Sequence, residues 1–397
     1  MSTTAVPVLP IAKPQLDELE VEAARRVIMS GWVTQGPEVA AFEREFAAVV
    51  GAPHAVAVSN CTTALHLALL AAGVGAGDEV VTVSHSFIAT ANAVRYCGAT
   101  PVFVDIAPGT FNIDAEMIEP AITPRTRAIL CVHQLGMPCD LERIVEIGRR
   151  HGIPVIEDAA CAIGSEILWN GRWEKIGAPH GDIACFSFHP RKIVTTGDGG
   201  MLTTRNPAYD AKFRLWRQHS MSVPDTVRHG AREIIFETYP EPGYNYRMTD
   251  LQAAVGRVQL QRLPGTVDYR RRMAASYTEL LASIDGVTPP AEPAWAHTNW
   301  QSYGVTLAAG IDQRAVMQSM LDAGISTRRG VMCAHLEAAY PAGTWRSVEG
   351  SGLALSEAAM NATVLLPLHH EISAGDQRRI VDTLKAAVRD AMALERR

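Results

Sequence analysis

From residue 54 onward the chain alternates short, nearly all-apolar runs with helical periodicity, and nothing else in it restricts the fold so tightly. Residues 55–58, 79–83, 101–104, 127–132, 153–156, 183–187 and 201–203 read as strands. Residues 62–72, 88–96, 114–121, 140–151 and 208–219 carry the helical pattern between or after them. Strands without a polar face must be covered on both sides, and helices between them supply that cover. The expectation is an α/β fold built on a mostly parallel seven-stranded sheet with helices on both faces.

The ends of the chain follow other patterns. Residues 14–50 read as two helices joined by a turn around Trp32 and Thr34. Thr249-Asp250-Leu251-Gln252 is a capping-box signature, and helical periodicity then continues to about residue 284. Prolines at 289, 290 and 293 mark a break before a strand at 301–307, a helix at 312–323 and a terminal helix from about 373. This divides the chain into a large domain, 1–250, and a smaller α+β domain, 251–397.

Composition narrows the class. The chain has 397 residues, 47% of them hydrophobic and 20% charged, enough for a large core and more than one domain. A net charge of −6 carries no basic footprint for nucleic acid. The first residues lack a basic, then apolar, leader, and no run is long enough for a membrane helix. The seven cysteines (61, 97, 131, 139, 161, 185 and 333) form no C-x-x-C pair, so reduced thiols in a cytoplasmic protein are expected, and no metal site.

In a parallel sheet, ligands bind beyond the carboxyl ends of the strands. Placed there are Cys61 and Thr62, Ser86 and Phe87, His133, Asp158, then Ser187, His189 and Lys192. Thr62 opens a helix, whose free N–H groups and dipole suit a phosphate. An aromatic such as Phe87 covers a flat ring, and a carboxylate such as Asp158 pairs with a protonated ring nitrogen. Lys192, after a strand and before a glycine-rich turn, suits imine formation with an aldehyde. Phosphate, ring, ring nitrogen and aldehyde together describe pyridoxal 5'-phosphate. Blander roles compete: core packing for Phe87, a turn for Asn245, an ion pair for Asp158. The glycines at 73, 75 and 77 follow a helix and not a strand, so they do not read as a dinucleotide loop.

At this level of detail the chain resembles the DegT/DnrJ/EryC1/StrS family of pyridoxal-phosphate-dependent sugar aminotransferases, with the aspartate-aminotransferase fold (fold type I). The motifs that carry the resemblance run in family order over nearly the whole chain. They are Ser30-Gly31-Trp32-Val33-Thr34-Gln35-Gly36-Pro37, Thr62-Thr63-Ala64-Leu65-His66, Ala89-Thr90-Ala91-Asn92-Ala93, Gly98-Ala99-Thr100-Pro101-Val102-Phe103-Val104-Asp105 and Glu157-Asp158-Ala159-Ala160. Further on come Phe186-Ser187-Phe188-His189-Pro190 with Lys192, Thr195-Thr196-Gly197-Asp198-Gly199-Gly200, and Gly243-Tyr244-Asn245-Tyr246-Arg247-Met248-Thr249-Asp250.

The resemblance implies that Lys192 carries the cofactor as an imine and Asp158 pairs with its ring nitrogen. Phe87 stacks on the ring, and Thr62, the Cys61 backbone and Ser187 hold the phosphate. Asn245 reaches the neighbouring subunit's phosphate, implying a homodimer with shared active sites. Trp32 and Thr34 lie near the substrate, with His189 and His335 as further candidates. The donor is expected to be glutamate or glutamine, and the acceptor a keto-sugar, most often nucleotide-linked. A keto-cyclitol acceptor, a sugar dehydratase and a non-catalytic binder of the cofactor are the alternatives. The related dehydratases replace the lysine with histidine, so Lys192 argues against that activity.

Two departures stand out. Cys161 occupies a position near the cofactor's phenolic oxygen where many relatives have glutamine or histidine. Ser326-Thr327-Arg328-Arg329-Gly330 replaces a commoner His-Tyr-Pro type of sequence, which makes Arg328 and Arg329 candidates for binding the donor's carboxylate as a bidentate fork.

Overall fold

A computed structural model describes residues 8–223, 227–228 and 231–395. Two helices come first, α1 (Glu18–Ser30) and α2 (Pro37–Val50). The alternating region follows as β1 (His54–Val58), α3 (Cys61–Ala71), β2 (Glu79–Val83), α4 (Ala89–Tyr96), β3 (Thr100–Val104), α5 (Ile118–Ala121), β4 (Thr126–Val132), α6 (Leu141–His151) and β5 (Val155–Asp158). A hairpin, β6 (Glu166–Trp169) and β7 (Arg172–Lys175), precedes β8 (Ile183–Ser187), β9 (Gly200–Thr204) and α7 (Pro207–Trp216). Then come α8 (Asp250–Leu281), β10 (Val287–Thr288), β11 (Ala296–His297), β12 (Tyr303–Leu307) and α9 (Gln313–Asp322). The chain ends with β13 (Arg328–Arg329), β14 (Arg346–Ser347), α10 (Ala354–Ala362), β15 (Thr363–Leu366) and α11 (Ala374–Glu395).

The main sheet has the order β1-β9-β8-β5-β4-β2-β3-β14. Strand β9 is antiparallel to both its neighbours, and every other adjacent pair is parallel. All strands except β9 therefore run in one direction, and their carboxyl ends share one edge. At that edge β9 enters the sheet through Gly200, which lies opposite both Val58 and Ser187. A Cβ on Gly200 would stand 2.5 Å from the Asn60 carbonyl and 2.8 Å from the Cys61 nitrogen. Only glycine lets the start of α3 sit this close to the sheet.

Both sheet faces are covered, by α2, α6 and the first half of α8 on one side and by α3, α4 and α7 on the other. Strand alternation sorts the side chains between them. Phe186 and Phe188 turn toward α2, where their rings meet Phe46 at 5.0 Å and Phe42 at 5.3 Å. Ser187, between them, is turned to the opposite side.

One sequence expectation changes. The sheet has an eighth strand, the two-residue β14, which arrives from the C-terminal part of the chain. Glu79, 2% exposed, holds it there by accepting from Arg346 at 2.9 and 2.6 Å, with Arg125 and Thr123 on the same carboxylate. Two residues are too few to show periodicity. The capping box at Thr249 starts α8. Along that helix Leu260, Leu263 and Val267 join the large core, and Met273, Tyr277 and Leu281 join the smaller one. Strand β5 ends at Asp158, as expected, so this carboxylate terminates the strand.

Burial works to raise the Glu79 carboxyl, but hydrogen bonds from Arg346, Thr123 and Arg125 outweigh it and hold it at about 2, against an ordinary 4.5. A depressed carboxyl contributes stability that is complete above the ordinary value and lost as pH falls through the depressed one. Glu79→Gln should lower the melting temperature at pH 7 and flatten its decline between pH 4.5 and 2. Thermal melts over that range test this, and an unchanged acid profile would refute it.

Candidate functional site

The shared edge opens into a cavity of about 670 Å³ whose lining includes Cys61, Thr62, Phe87, Asp158, Cys161, Ser187, His189, Lys192, Arg328 and Arg329. A larger cleft of about 770 Å³ lies between residues 106–111 and 288–311. No ionisable side chain lines that cleft, so the chemistry belongs to the smaller cavity.

Strand β1 delivers the start of α3. Asn60 caps this helix by accepting from the Thr63 N–H at 2.9 Å, which leaves the N–H groups of Cys61 and Thr62 outside the cap. Free N–H groups at the positive end of an 11-residue helix form an anion site. Ser187 stands beside it, at the end of β8. The Cys61 thiol is buried, which pushes its pKa well above the ordinary value.

Asp158 is 5% exposed. Burial raises its pKa, and hydrogen bonds from the Thr90 hydroxyl (2.8 Å) and the Ala160 N–H (3.2 Å) work against that rise. Ser86 shares a 2.7 Å hydrogen bond with Thr90, so the acid is held by a chain of two hydroxyls. A buried, oriented carboxyl of this kind suits a cationic partner inside the cavity.

Lys192 follows β8 on a loop closed by the Lys192 N–H to the His189 carbonyl (2.8 Å) and by Thr195 and Thr196 on the Phe188 carbonyl. Its Nζ lies 2.9 Å from Cys161 Sγ. Burial alone would lower the amine's pKa, but Cys161, then Cys61 and Asp158, hold it above the ordinary value. Cys161 is itself positioned by Asn299, whose Nδ2 donates to the carbonyls of Cys161 and Ile163 at 2.8 Å each.

The remaining predicted residues divide. Phe87 lines the cavity and is 60% exposed, so it is not core packing. Strand β13 brings Arg328 and Arg329 to the rim, where Arg329 lies 3.7 Å from Glu337. Burial, then the charges of Arg191 and Arg329, lower the pKa of Arg328. His189 lines the cavity and accepts the Arg191 N–H at 3.2 Å.

Four candidates lie outside this lining. Trp32 donates to the Gln35 carbonyl at 3.1 Å, and Thr34 accepts from the Asp250 N–H at 3.1 Å. Asn245 is exposed and accepts from Arg247 at 3.5 Å. His335 is drawn away from the cavity, held between Ser84 (2.6 Å) and Glu357 (3.2 Å). His133 does line the cavity and is fully buried. The Cys139 N–H donates to its Nδ1, which leaves Nε2 to donate to the buried Glu157 at 3.0 Å.

Sequence reasoning missed Thr90 and Asn299 as supports of the site. Thr90 lay in plain view inside a quoted motif, and only its contact with Asp158 reveals its part. Asn299 lies in an irregular stretch with no periodic signal. The β6–β7 hairpin lies beyond the main sheet, with β11 pairing on β6.

The donor set fits pyridoxal phosphate: an anion site at α3, a buried acid for the ring nitrogen, an exposed aromatic and an amine in one cavity. Residues 14–385 match the sequence profile of the DegT/DnrJ/EryC1/StrS aminotransferase family. A GDP-perosamine synthase from Caulobacter vibrioides is 39% identical over 384 residues, which is 96% of this chain and 98% of that protein. The aminotransferase TlmJ from Streptoalloteichus hindustanus superposes with a TM-score of 0.87 at 34% identity, covering 96% of this chain and 99% of its own. The pyridoxal phosphate form of the sugar aminotransferase Spr1654 from Streptococcus pneumoniae gives a TM-score of 0.87 at 26% identity over 97% of this chain and 99% of its own.

Thr90→Val removes one charged hydrogen bond from Asp158 and keeps the side-chain volume. Loss of such a bond should weaken cofactor retention about 10- to 100-fold. Equilibrium titration of apoenzyme with pyridoxal phosphate measures this, and wild-type affinity would remove Thr90 from the site.

Proposed function

The chain belongs to the DegT/DnrJ/EryC1/StrS aminotransferase family, and we propose that it transfers an amino group from glutamate or glutamine to a nucleotide-linked keto-sugar, with Lys192 as the reacting amine. It is a pyridoxal-phosphate-dependent sugar aminotransferase of fold type I. The observation that carries the residue-level reading is the meeting of Lys192, Asp158 and the start of α3 in one cavity.

When bound, pyridoxal phosphate supplies an electron sink for the carbon that loses a proton. The chain supplies the rest. The N–H groups of Cys61 and Thr62, with Ser187, would hold the phosphate. Asp158, oriented by Thr90, keeps a proton on the ring nitrogen, and Phe87 covers the ring. Lys192 would act as base and then acid, taking the proton from the donor's α-carbon and delivering it to the cofactor's C4′. The same groups run the sequence in reverse on the keto-sugar, which makes the reaction ping-pong.

Arg328 and Arg329, at the rim, suit the donor's carboxylate. Asn245, exposed and outside this chain's own cavity, suits the phosphate of a second copy, so the working unit is a homodimer with shared sites. Trp32 and Thr34 suit the substrate side of that shared site. Among the described residues no helix is long and apolar enough to cross a membrane. With seven free thiols, the reading places the enzyme in the cytoplasm. The similarity to GDP-perosamine synthase supports a nucleotide-linked acceptor.

Glutamate alone should convert the holoenzyme's absorbance from the pyridoxal to the pyridoxamine form. Lys192→Ala should lose multiple turnover entirely, and multiple turnover retained in that variant would overturn the assignment. Nucleotide-linked keto-sugars and keto-cyclitols screened against the pyridoxamine form then identify the acceptor. Sedimentation equilibrium should give twice the chain mass, and a monomer would contradict the shared site.

A further inference from the structure

Lys192 belongs to the walls of two cavities. The second, of about 390 Å³, is enclosed by residues 13–15 ahead of α1, by Lys192 and Ile193, by α8 between Arg262 and Arg272, and by His370 after β15. Its ionisable lining is Lys13, Lys192, Arg262, Arg270, Arg272 and His370, with Tyr269. No carboxylate is part of that lining.

Two of these cations are neutralised from outside the cavity. Lys13 pairs with Glu371 at 2.6 Å, and Arg262 with Asp17 and Glu20 at 2.6 and 3.1 Å. Arg270 is different. It is 6% exposed, and its Nη1 donates to the Trp300 and Gln301 carbonyls at 2.9 and 3.1 Å. Among the described residues it forms no ion pair. Carbonyls satisfy the direction of a guanidinium N–H but leave its charge unbalanced, which is costly in a buried position. Burial accordingly pushes Arg270 down to about 10. Arg272, two residues on, lies over the Tyr269 ring at 6.0 Å and likewise forms no ion pair among the described residues. The field reaches His370, whose pKa is lowered by burial and by Lys13, Arg270 and Arg262, with Glu371 opposing. A cleft lined by one sign of charge concentrates the opposite ion.

We propose that this chamber is an oxyanion site, in which Arg270 and Arg272 bind phosphoryl oxygens. With Lys192 common to both cavities, it holds the diphosphate of the nucleotide-linked acceptor while the sugar reaches the amine. The assignment of the diphosphate to the acceptor rests on the function proposed above; the anion chemistry does not. Arg328 and Arg329 remain available at the other rim for the donor's carboxylate.

The test uses holoenzyme, so that the phosphate cradle at α3 is filled, with inorganic phosphate, inorganic diphosphate and GDP as calorimetric probes. Arg272→Gln, on an exposed helix position, should weaken diphosphate binding about tenfold or more. Arg272→Lys should recover part of the loss, and Arg328→Gln should leave the affinity as in wild type. GDP binding at least as tightly as inorganic diphosphate, with the same dependence on Arg272, supports the acceptor. Binding of inorganic phosphate without GDP keeps the anion site and overturns its assignment to the acceptor. Absence of binding to wild-type holoenzyme, equal binding by Arg272→Gln, or loss confined to Arg328→Gln overturns the site itself. Failure of glutamate to convert the holoenzyme, with Arg272-dependent anion binding intact, would sink the aminotransferase reading of Lys192 and leave the chamber standing.

Discussion

Every strand of the main sheet but one runs in the same direction, and the site depends on that constraint. Parallel strands return through helices, so each strand ends at the same edge and each following loop begins there. Groups distant in the chain, the start of α3, Asp158 and Lys192, thereby meet in one cavity. The exception, β9, reverses at Gly200 and brings the loop that carries Lys192 back into the sheet beside the start of α3.

Charge in the site is arranged by burial first and by partners second. Asp158 lies deep enough to resist ionisation, and two donors work against that. The amine of Lys192 is drawn the other way by Cys161, Cys61 and Asp158. Such groups differ in the ease with which they gain and lose protons, as a site that moves protons between carbons requires. The cationic rim at Arg328 and Arg329 and the chamber around Arg270 add positive field near the amine. A net charge of −6 over the whole chain gives no hint of it.

The fold was largely legible because buried parallel strands and the helices between them carry strong patterns. Lys192, Asp158, Thr62, Phe87 and Ser187 could be placed at one edge because strand ends identify themselves by where the apolar runs stop. Short or irregular pieces were not legible. Strand β14 has two residues, and it is held by Glu79 and Arg346, which are 267 positions apart. Helix α8 carries the stripes of two cores in one continuous helix, so no break in periodicity marks the passage from one to the other. His335 looked like a site residue by its chemistry, yet Ser84 and Glu357 hold it elsewhere.

The sequence by itself determined the fold class and the family and pointed to the proposed reactive set, since periodicity and ordered motifs are local properties of the chain. Only the tertiary structure decided which groups support that set. Thr90 on Asp158, Asn299 behind Cys161, and Arg270 facing a second cavity through Lys192 all depend on contacts between distant segments. A contact across such separations leaves no mark on composition or spacing, because it is created by packing and by the cost of leaving a buried charge unpaired.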